Sequence, residues 1–287
     1  MKEYHTPLVS AETLFANIGT DWVVVDCRHD LRDGEAGRRA YAEGHIPGAV
    51  HGHIDEDLSA PVGDGMHGRH PMPTPEKFVA WARSIGINSD TQVVAYDDYG
   101  GAWASRLWWL LRDYGHPHVA LVDGGWRRWK ELGLTQETNV AKVTPGNFAG
   151  VPGSMPRIDE ARIEAELGQI RGAMQLVDAR AAPRFRGDEE PVDPVAGHIP
   201  GAINLPFADN LGTDGLFLSP DELRAKYESA LGLQEVGRVA VYCGSGVTAP
   251  HDILAMELAD MGTASLYPGS WSAWCQPEAE RPIALGP

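Results

Sequence analysis

The chain has 287 residues, of which 43% are hydrophobic and 22% charged, a composition typical of a globular protein and a length that suits two domains. Its formal net charge of −16 argues against nucleic acid or an anionic membrane surface as a partner. No apolar stretch approaches the roughly 18–20 residues of a membrane span, and three widely spaced cysteines make no disulfide framework, so we expect a cytoplasmic protein.

The first half of the chain alternates short β-branched runs with helical patterns. In chain order, the predicted elements are a helix at 10–18, strands at 22–26 and 48–51, a helix at 75–85, a strand at 91–96, a helix at 102–114, a strand at 119–121 and a helix at 125–131. A long insert, 55–75, follows the second strand. Such alternation favours a parallel α/β sheet flanked by helices.

A Pro- and Gly-rich stretch without periodicity follows, and the alternation then begins again. The second half is predicted to contain strands at 175–178, 202–204, 239–242 and 264–266, with a helix at 249–261. We therefore predict a first domain at 1–138, a linker at 139–157 and a second domain at 158–287.

The two halves are copies of one another. Four blocks recur in the same order, at offsets of 145–153 residues: 23–28 at 176–180, 44–50 at 197–203, 93–97 at 239–243 and 123–129 at 268–274. The clearest block is Gly-His-Ile-Pro-Gly-Ala, which begins at Gly44 and again at Gly197. A repeat this long is not a solenoid; it indicates two homologous domains, each with its own core.

The most informative segment is Cys-Gly-Ser-Gly-Val-Thr at 243–248, between a predicted strand and a predicted helix. Gly244 and Gly246 let the backbone curl around the Cys243 sulfur without Cβ clashes. Loop N–H groups and the helix N-terminus direct positive partial charge at the sulfur, which favours the thiolate. We therefore predict a reactive cysteine at this position.

Asp97 stands in the first half where Cys243 stands in the second. Aspartate would be an odd counterpart for a cysteine that only fills the core. A polar residue at both positions predicts a solvent pocket at the carboxyl end of the strand, where open α/β sheets bind ligands. One half is therefore expected to be chemically active and the other silent.

Together these blocks resemble the two-domain rhodanese family of sulfurtransferases, over residues 8–283. The motifs that carry the resemblance lie at 177–180, 184–187, 197–202 and 243–248. The 243–248 loop is most similar to the 3-mercaptopyruvate branch, whereas animal thiosulfate sulfurtransferases carry Arg and Lys after the cysteine. The resemblance implies an α/β fold of two homologous rhodanese-like domains, each a mainly parallel sheet flanked by helices.

The resemblance also implies a two-step reaction. The Cys243 thiolate takes the outer sulfur of an anionic donor, 3-mercaptopyruvate or thiosulfate, and its persulfide passes that sulfur to cyanide or a thiol, for example on a thioredoxin-like protein. No metal or other cofactor is implied, and a monomer is expected because the duplication supplies an internal partner. Donor and persulfide would be bound by the loop residues Gly244, Ser245, Gly246, Val247 and Thr248.

Arg184 is the residue that the resemblance places against the donor's anionic group, which a guanidinium binds through two hydrogen bonds. Arg180 is expected to be structural, and the role of Arg186 stays open. Mercaptopyruvate enzymes usually carry a second arginine after a Glu-Pro pair, and here Val192 stands in its place. The preferred donor therefore stays open as well.

The same resemblance implies a proton relay that joins Ser245 to His45 and Asp33 of the first half. Both halves carry a histidine in the Gly-His-Ile-Pro-Gly block, so an architectural role for His45 is the alternative. The histidines at 51, 53, 67 and 70, with Asp55 and Asp64, match no zinc spacing and are expected to be solvated.

The remaining cysteines, Cys27 and Cys275, are expected to be packed rather than paired with Cys243. Two other functions use a strand, cysteine, loop and helix. Cysteine phosphatases and arsenate reductases need an arginine six positions after the cysteine, and Ala249 argues against them. A persulfide carrier or scaffold without small-donor turnover stays open, as does a thiosulfate-preferring enzyme.

Overall fold

The structure, a computed structural model, describes residues 4–167, 174–232 and 234–287. The chain forms two compact units. The first comprises Met1–Ala60, Met72–Met155 and Thr213–Leu216, and the second comprises Pro61–Pro71, Pro156–Gly212 and Phe217–Pro287. The main boundary lies inside the stretch predicted as a linker, and the insert of the first half contributes Pro61–Pro71 to the second unit.

The first unit is built on a five-stranded parallel sheet in the order β1-β5-β4-β2-β3. All eight elements predicted for this half are present, whereas β1 and α2 were not predicted. In chain order the elements are β1 (Leu8–Val9), α1 (Ala11–Ala16), β2 (Val23–Asp26), α2 (Ala36–Glu43), β3 (Val50–His51), α3 (Pro75–Ser84), β4 (Val93–Tyr96), α4 (Ala104–Asp113), β5 (Val119–Val122) and α5 (Gly125–Glu131).

The second unit repeats this plan with four parallel strands in the order β7-β6-β8-β9. A parallel bridge from Arg157 to Leu266 takes the place beside β9 that β1 takes beside β5. The elements are α6 (Glu160–Glu166), β6 (Gln175–Asp178), α7 (Ala182–Arg186), β7 (Ile203–Asn204), α8 (Pro220–Leu231), β8 (Val239–Tyr242), α9 (Ala249–Leu258), β9 (Ser265–Leu266) and α10 (Ser270–Trp274), with short 3₁₀ turns at Phe207–Asn210, Val236–Arg238 and Pro277–Ala279.

Helix starts follow local chemistry. Ser10 caps α1 by accepting a hydrogen bond from the N–H of Thr13, and Thr74 does the same for α3, whose first turn contains proline. Ser219 and Glu222 form a reciprocal capping box at α8. These side chains satisfy N–H groups that have no partner inside the helix.

The duplication is visible in buried ion pairs at the strand ends. Arg28 binds Asp26 and donates to the carbonyl oxygen of Gly44 at 2.7 Å. Arg180 binds Asp178 and donates at 2.6 Å to the carbonyl oxygen of Gly197, the first residue of the second Gly-His-Ile-Pro-Gly block. Each pair ties that block to the first long strand of its unit, and these contacts agree with the structural role predicted for Arg180.

Buried helices cover the sheets. Trp108 and Trp109 of α4 are fully buried, and so is α9 from Ala249 to Met256. Strands with apolar helices on their faces read as continuous hydrophobic runs, which explains the Val-Val-Ala-Tyr and Val-Ala-Val-Tyr sequences of β4 and β8. Within the described ranges, no helix has the length and hydropathy required to span a bilayer.

Candidate active site

Cys243 directly follows β8 at the carboxyl edge of the second unit's sheet and is 2% exposed. The 243–248 loop folds back over its sulfur. The N–H of Gly246 donates to Sγ at 3.2 Å. Further hydrogen bonds to the sulfur come from the Thr248 hydroxyl and from the backbone N–H groups of Ser245, Thr248 and Ala249.

These donors decide how Cys243 ionises. Burial raises the pKa of the thiol, but the Thr248 hydroxyl and the backbone N–H groups more than offset burial, so the pKa of Cys243 lies below its usual value. Burial raises the pKa of Cys27 and of Cys275, where no comparable set of donors opposes it. Both of those cysteines are packed, as predicted.

The loop is fixed from the side of α10. The N–H of Cys243 donates to Ser270 Oγ at 3.1 Å, and the N–H of Trp271 donates to the Cys243 carbonyl at 3.0 Å. Gly246 has a φ of +77°, and a Cβ there would lie 2.2 Å from the carbonyl oxygen of Pro268. Glycine is therefore required at this position for both reasons, conformation and space.

Ser245 is hydrogen-bonded to His70, a histidine expected from the sequence to be solvated. His70 Nδ1 and Ser245 Oγ lie 2.7 Å apart, and both side chains are buried. His70 belongs to the insert segment Pro61–Pro71 of the second unit. The expectation of a solvated histidine is wrong for His70, which is 5% exposed, and for His53, which is 3% exposed.

Arg184 lies on α7 and is held by two carboxylates. Its Nη2 donates to Glu190 at 2.7 Å and to Asp193 at 3.1 Å. Arg69, the neighbour of His70, forms an ion pair with the same Asp193. The Arg184 guanidinium lies close to the active loop, since its Nη1 is 3.3 Å from the position that a Cβ on Gly244 would occupy.

The other positions around Arg184 are peripheral. The Arg186 side chain is 41% exposed and pairs with Asp188 at 2.8 Å. Val192 is 42% exposed, and its backbone N–H donates to Glu190 Oε1 at 3.1 Å. No charged side chain therefore reaches the loop from position 192.

In the first unit, Asp97 occupies the position that Cys243 occupies in the second unit. Its carboxylate is 0% exposed, so the expected solvent pocket at this position is wrong for the first unit. The carboxylate accepts four backbone hydrogen bonds, from Tyr99 (2.8 Å), Gly101 (2.9 Å), Trp103 (2.8 Å) and Ala104 (2.8 Å). Both units thus build a ring of N–H donors after their second long strand, β4 or β8, and the first unit fills this ring with the carboxylate of Asp97.

His45 and Asp33 belong to the first unit, where each has partners of its own. His45 is buried, stacks on Tyr41 at 3.9 Å between centroids and donates from Nδ1 to the Tyr41 carbonyl at 2.7 Å. His198 repeats this arrangement on Phe185, at 3.8 Å and 2.8 Å. Asp33 is exposed and pairs with Arg39. These contacts fit the architectural alternative for His45.

Arg69 and His70 are members of the site that were not predicted from the sequence. The available signal was the insert itself, which breaks the otherwise regular offset between the two halves and carries a basic residue next to a histidine. In the first unit, Glu35, His53 and Glu56 bring potential metal-ligand atoms within 4.8 Å of one another. Both glutamates are exposed and pair with Arg38, so this group is an ordinary ion-pair cluster.

Comparisons with known proteins agree with the duplicated design. The rhodanese-like domain model matches residues 10–132 and again 162–277. A protein of Pseudomonas aeruginosa named "Probable 3-mercaptopyruvate sulfurtransferase" is 46% identical over 97% of this chain and 98% of its own length. The thiosulfate sulfurtransferase of Bos taurus is 36% identical over 83% of this chain and 79% of its own.

Among solved structures, the 3-mercaptopyruvate sulfurtransferase of Leishmania major superposes with a TM-score of 0.81 at 28% identity. That match covers 93% of this chain and 74% of the other. The similarity therefore extends over both units, in sequence and in fold.

Proposed function

The chain belongs to the rhodanese-like family and is a sulfurtransferase, and we propose that it carries the transferred sulfur as a persulfide on Cys243. The observation that carries this proposal is the buried Cys243 sulfur inside a ring of hydrogen-bond donors that lowers its pKa. A thiolate is the nucleophile that sulfur transfer needs. The same donors suit the persulfide anion that follows.

In the first step the thiolate attacks the transferable sulfur of the donor, which is the outer sulfur of thiosulfate or the thiol sulfur of 3-mercaptopyruvate. With thiosulfate, the sulfur–sulfur bond breaks and its electron pair leaves with sulfite, so no proton is needed. With 3-mercaptopyruvate, the carbon–sulfur bond breaks and leaves an enolate, which must take up a proton to become pyruvate. In the second step the acceptor attacks the outer sulfur of the persulfide, and the electron pair of the broken bond stays on Cys243.

Ser245 and His70 supply a route for that proton. Their hydrogen bond of 2.7 Å joins a hydroxyl in the active loop to a buried imidazole, and histidine is the side chain that most readily exchanges protons near neutral pH. We assign the relay to this pair in preference to His45 and Asp33, because the first unit supplies partners to both: the Tyr41 carbonyl to His45 and Arg39 to Asp33. The N–H of Ser245 contributes to the donor ring as well.

Both 3-mercaptopyruvate and thiosulfate are proposed as donors, each held through its anionic end by Arg184. The acceptor is proposed to be cyanide or a thiol, including that of a thioredoxin-like protein. All three cysteines are free, which suits a reducing cytoplasm. The duplication supports a monomer, because each unit has its own core.

The test is steady-state turnover of the full chain with each donor, paired in turn with cyanide and with a dithiol. We expect activity with both donors and none in Cys243→Ser. Full turnover in Cys243→Ser would overturn the mechanism. Persulfide formation without turnover on either donor would instead favour the alternative, a carrier that hands its sulfur only to a protein partner.

A further inference from the structure

Two guanidinium groups converge on the glycine that follows Cys243. A Cβ on Gly244 would lie 3.1 Å from Arg69 Nη2 and 3.3 Å from Arg184 Nη1. Two cationic donors from distant parts of the sequence therefore face one point beside the reactive sulfur. The absence of a side chain at Gly244 leaves that point open.

Each arginine has one terminal nitrogen held by a carboxylate and the other turned toward the loop. Asp193 accepts from Arg69 Nη1 through one oxygen and from Arg184 Nη2 through the other. Glu190 binds Nη2 and Nε of Arg184 as well. The carboxylates thus orient both guanidinium groups without using the nitrogens nearest Gly244.

The Arg69 nitrogen that faces the loop lacks an acceptor. Nη2 is buried, and no hydrogen-bond partner for it exists within residues 4–167, 174–232 and 234–287. Buried donors are normally paired, because an unpaired one loses its hydrogen bonds to water without replacement. The site therefore lacks one hydrogen-bond acceptor at the place where the sulfur donor would enter.

The charges point to the same kind of ligand. Burial lowers the pKa of Arg69, and the nearby positive charge of Arg184 lowers it further. An anion between the two groups would reduce this repulsion and supply the missing acceptor. A carboxylate or a sulfonate-like group has two or more oxygens, and these can accept hydrogen bonds from both guanidinium groups.

We propose that Arg69 is the second anion-binding arginine of the site and that it clamps the donor's oxyanion together with Arg184. Arg69 thereby provides from the insert the guanidinium that position 192 does not provide. The identity of the anion, the carboxylate of 3-mercaptopyruvate or the oxygens of thiosulfate, rests on the proposed function. The clamp itself does not, because it concerns anion binding beside Cys243.

A test independent of sulfur transfer compares alkylation of Cys243 by iodoacetate with alkylation by the neutral iodoacetamide. The ratio of the two rates reports attraction of a small carboxylate and cancels general changes in thiol reactivity. Arg69→Gln removes one charge-assisted hydrogen bond to the carboxylate of iodoacetate, which should lower this ratio by roughly tenfold to a hundredfold. Arg69→Lys keeps the positive charge but not the planar pair of guanidinium N–H donors, so its rate ratio should lie between those of Arg69→Gln and the wild type.

Arg186→Gln is the matched control, since it removes an equal charge from an exposed arginine of α7. Its ratio should equal that of the wild type. A wild-type ratio in Arg69→Gln, or an equal loss in Arg186→Gln, would overturn the proposal. Thermal melting of each variant identifies any loss that comes from unfolding.

Turnover then identifies which anion the clamp serves. In Arg69→Gln the KM of the clamped donor should rise at least tenfold while kcat changes little. An unchanged KM for both donors in an active enzyme overturns the role of Arg69 in donor binding. A wild-type chain that turns over neither donor contradicts the proposed function instead, and the alkylation ratio still decides the clamp.

Discussion

Replacing Thr248 with valine should raise the pKa of the Cys243 thiol. The Thr248 hydroxyl donates to the sulfur and makes no capping bond at α9, so a valine of similar shape removes little else. A hydrogen bond to a charged group is worth about 1.5–3 kcal/mol, and one pKa unit corresponds to about 1.36 kcal/mol. The expected rise is therefore about one to two units. The backbone donors, such as the N–H of Gly246, remain in place.

The assay is the rate of Cys243 alkylation by iodoacetamide as a function of pH. The rate follows the thiolate fraction, so the Thr248→Val profile should move to higher pH, and turnover at neutral pH should fall with it. Thr248→Ser keeps the hydroxyl and should stay close to the wild type. The Cys243→Ser variant gives the background from the other two thiols, whose pKa values burial raises.

Two outcomes would refute this reasoning. An unshifted profile for Thr248→Val would mean that the hydroxyl does not stabilise the thiolate. A serine variant shifted as far as the valine variant would mean that the loop geometry, rather than the hydroxyl, was disturbed.

Three further results are expected. His70→Gln should slow persulfide formation from 3-mercaptopyruvate by roughly 10²–10⁴-fold and from thiosulfate far less, in single-turnover mixing; equal slowing of both would argue against a proton role. Asp97→Asn turns an amide donor toward backbone N–H groups, which should lower the free energy of unfolding by about 1–3 kcal/mol for each N–H left unpaired, and urea denaturation that shows no loss would contradict this. Burial raises the pKa of Asp252 from 3.8 to about 6, so the folded chain binds more protons than the unfolded chain in this interval and stability should fall as pH rises through it. Asp252→Asn should flatten that dependence in denaturation measured across the same pH range, and an unchanged slope would show that another group causes it.

The sequence predicts the regular elements well where local signals are strong. β6, β8 and α5 have the predicted bounds because short apolar runs mark the two strands and a glycine-rich turn precedes α5. β1 has only two residues and depends on pairing with β5, so nothing local reveals it. α2 is largely polar and begins without a side-chain cap, so neither a hydrophobic run nor a start signal marks it.

The candidate site is only half readable from the sequence. Cys243 and its loop form one continuous motif, and Arg184 follows from a second motif. His70 is 175 residues from Ser245, and only the folded chain shows that the insert packs into the second unit. Asp97 illustrates the same limit, because a polar residue at a strand end fits a solvent pocket equally well until its four buried hydrogen bonds are seen.

The central claim is that Cys243 carries the transferred sulfur. The most direct measurement is the mass of the full chain after reaction with a donor in the absence of acceptor, followed by peptide mapping of the product. We predict one added sulfur atom, located on Cys243, which cyanide then removes as thiocyanate. Added sulfur on Cys27 or Cys275, or turnover of donor by a chain whose Cys243 never gains sulfur, would contradict the account.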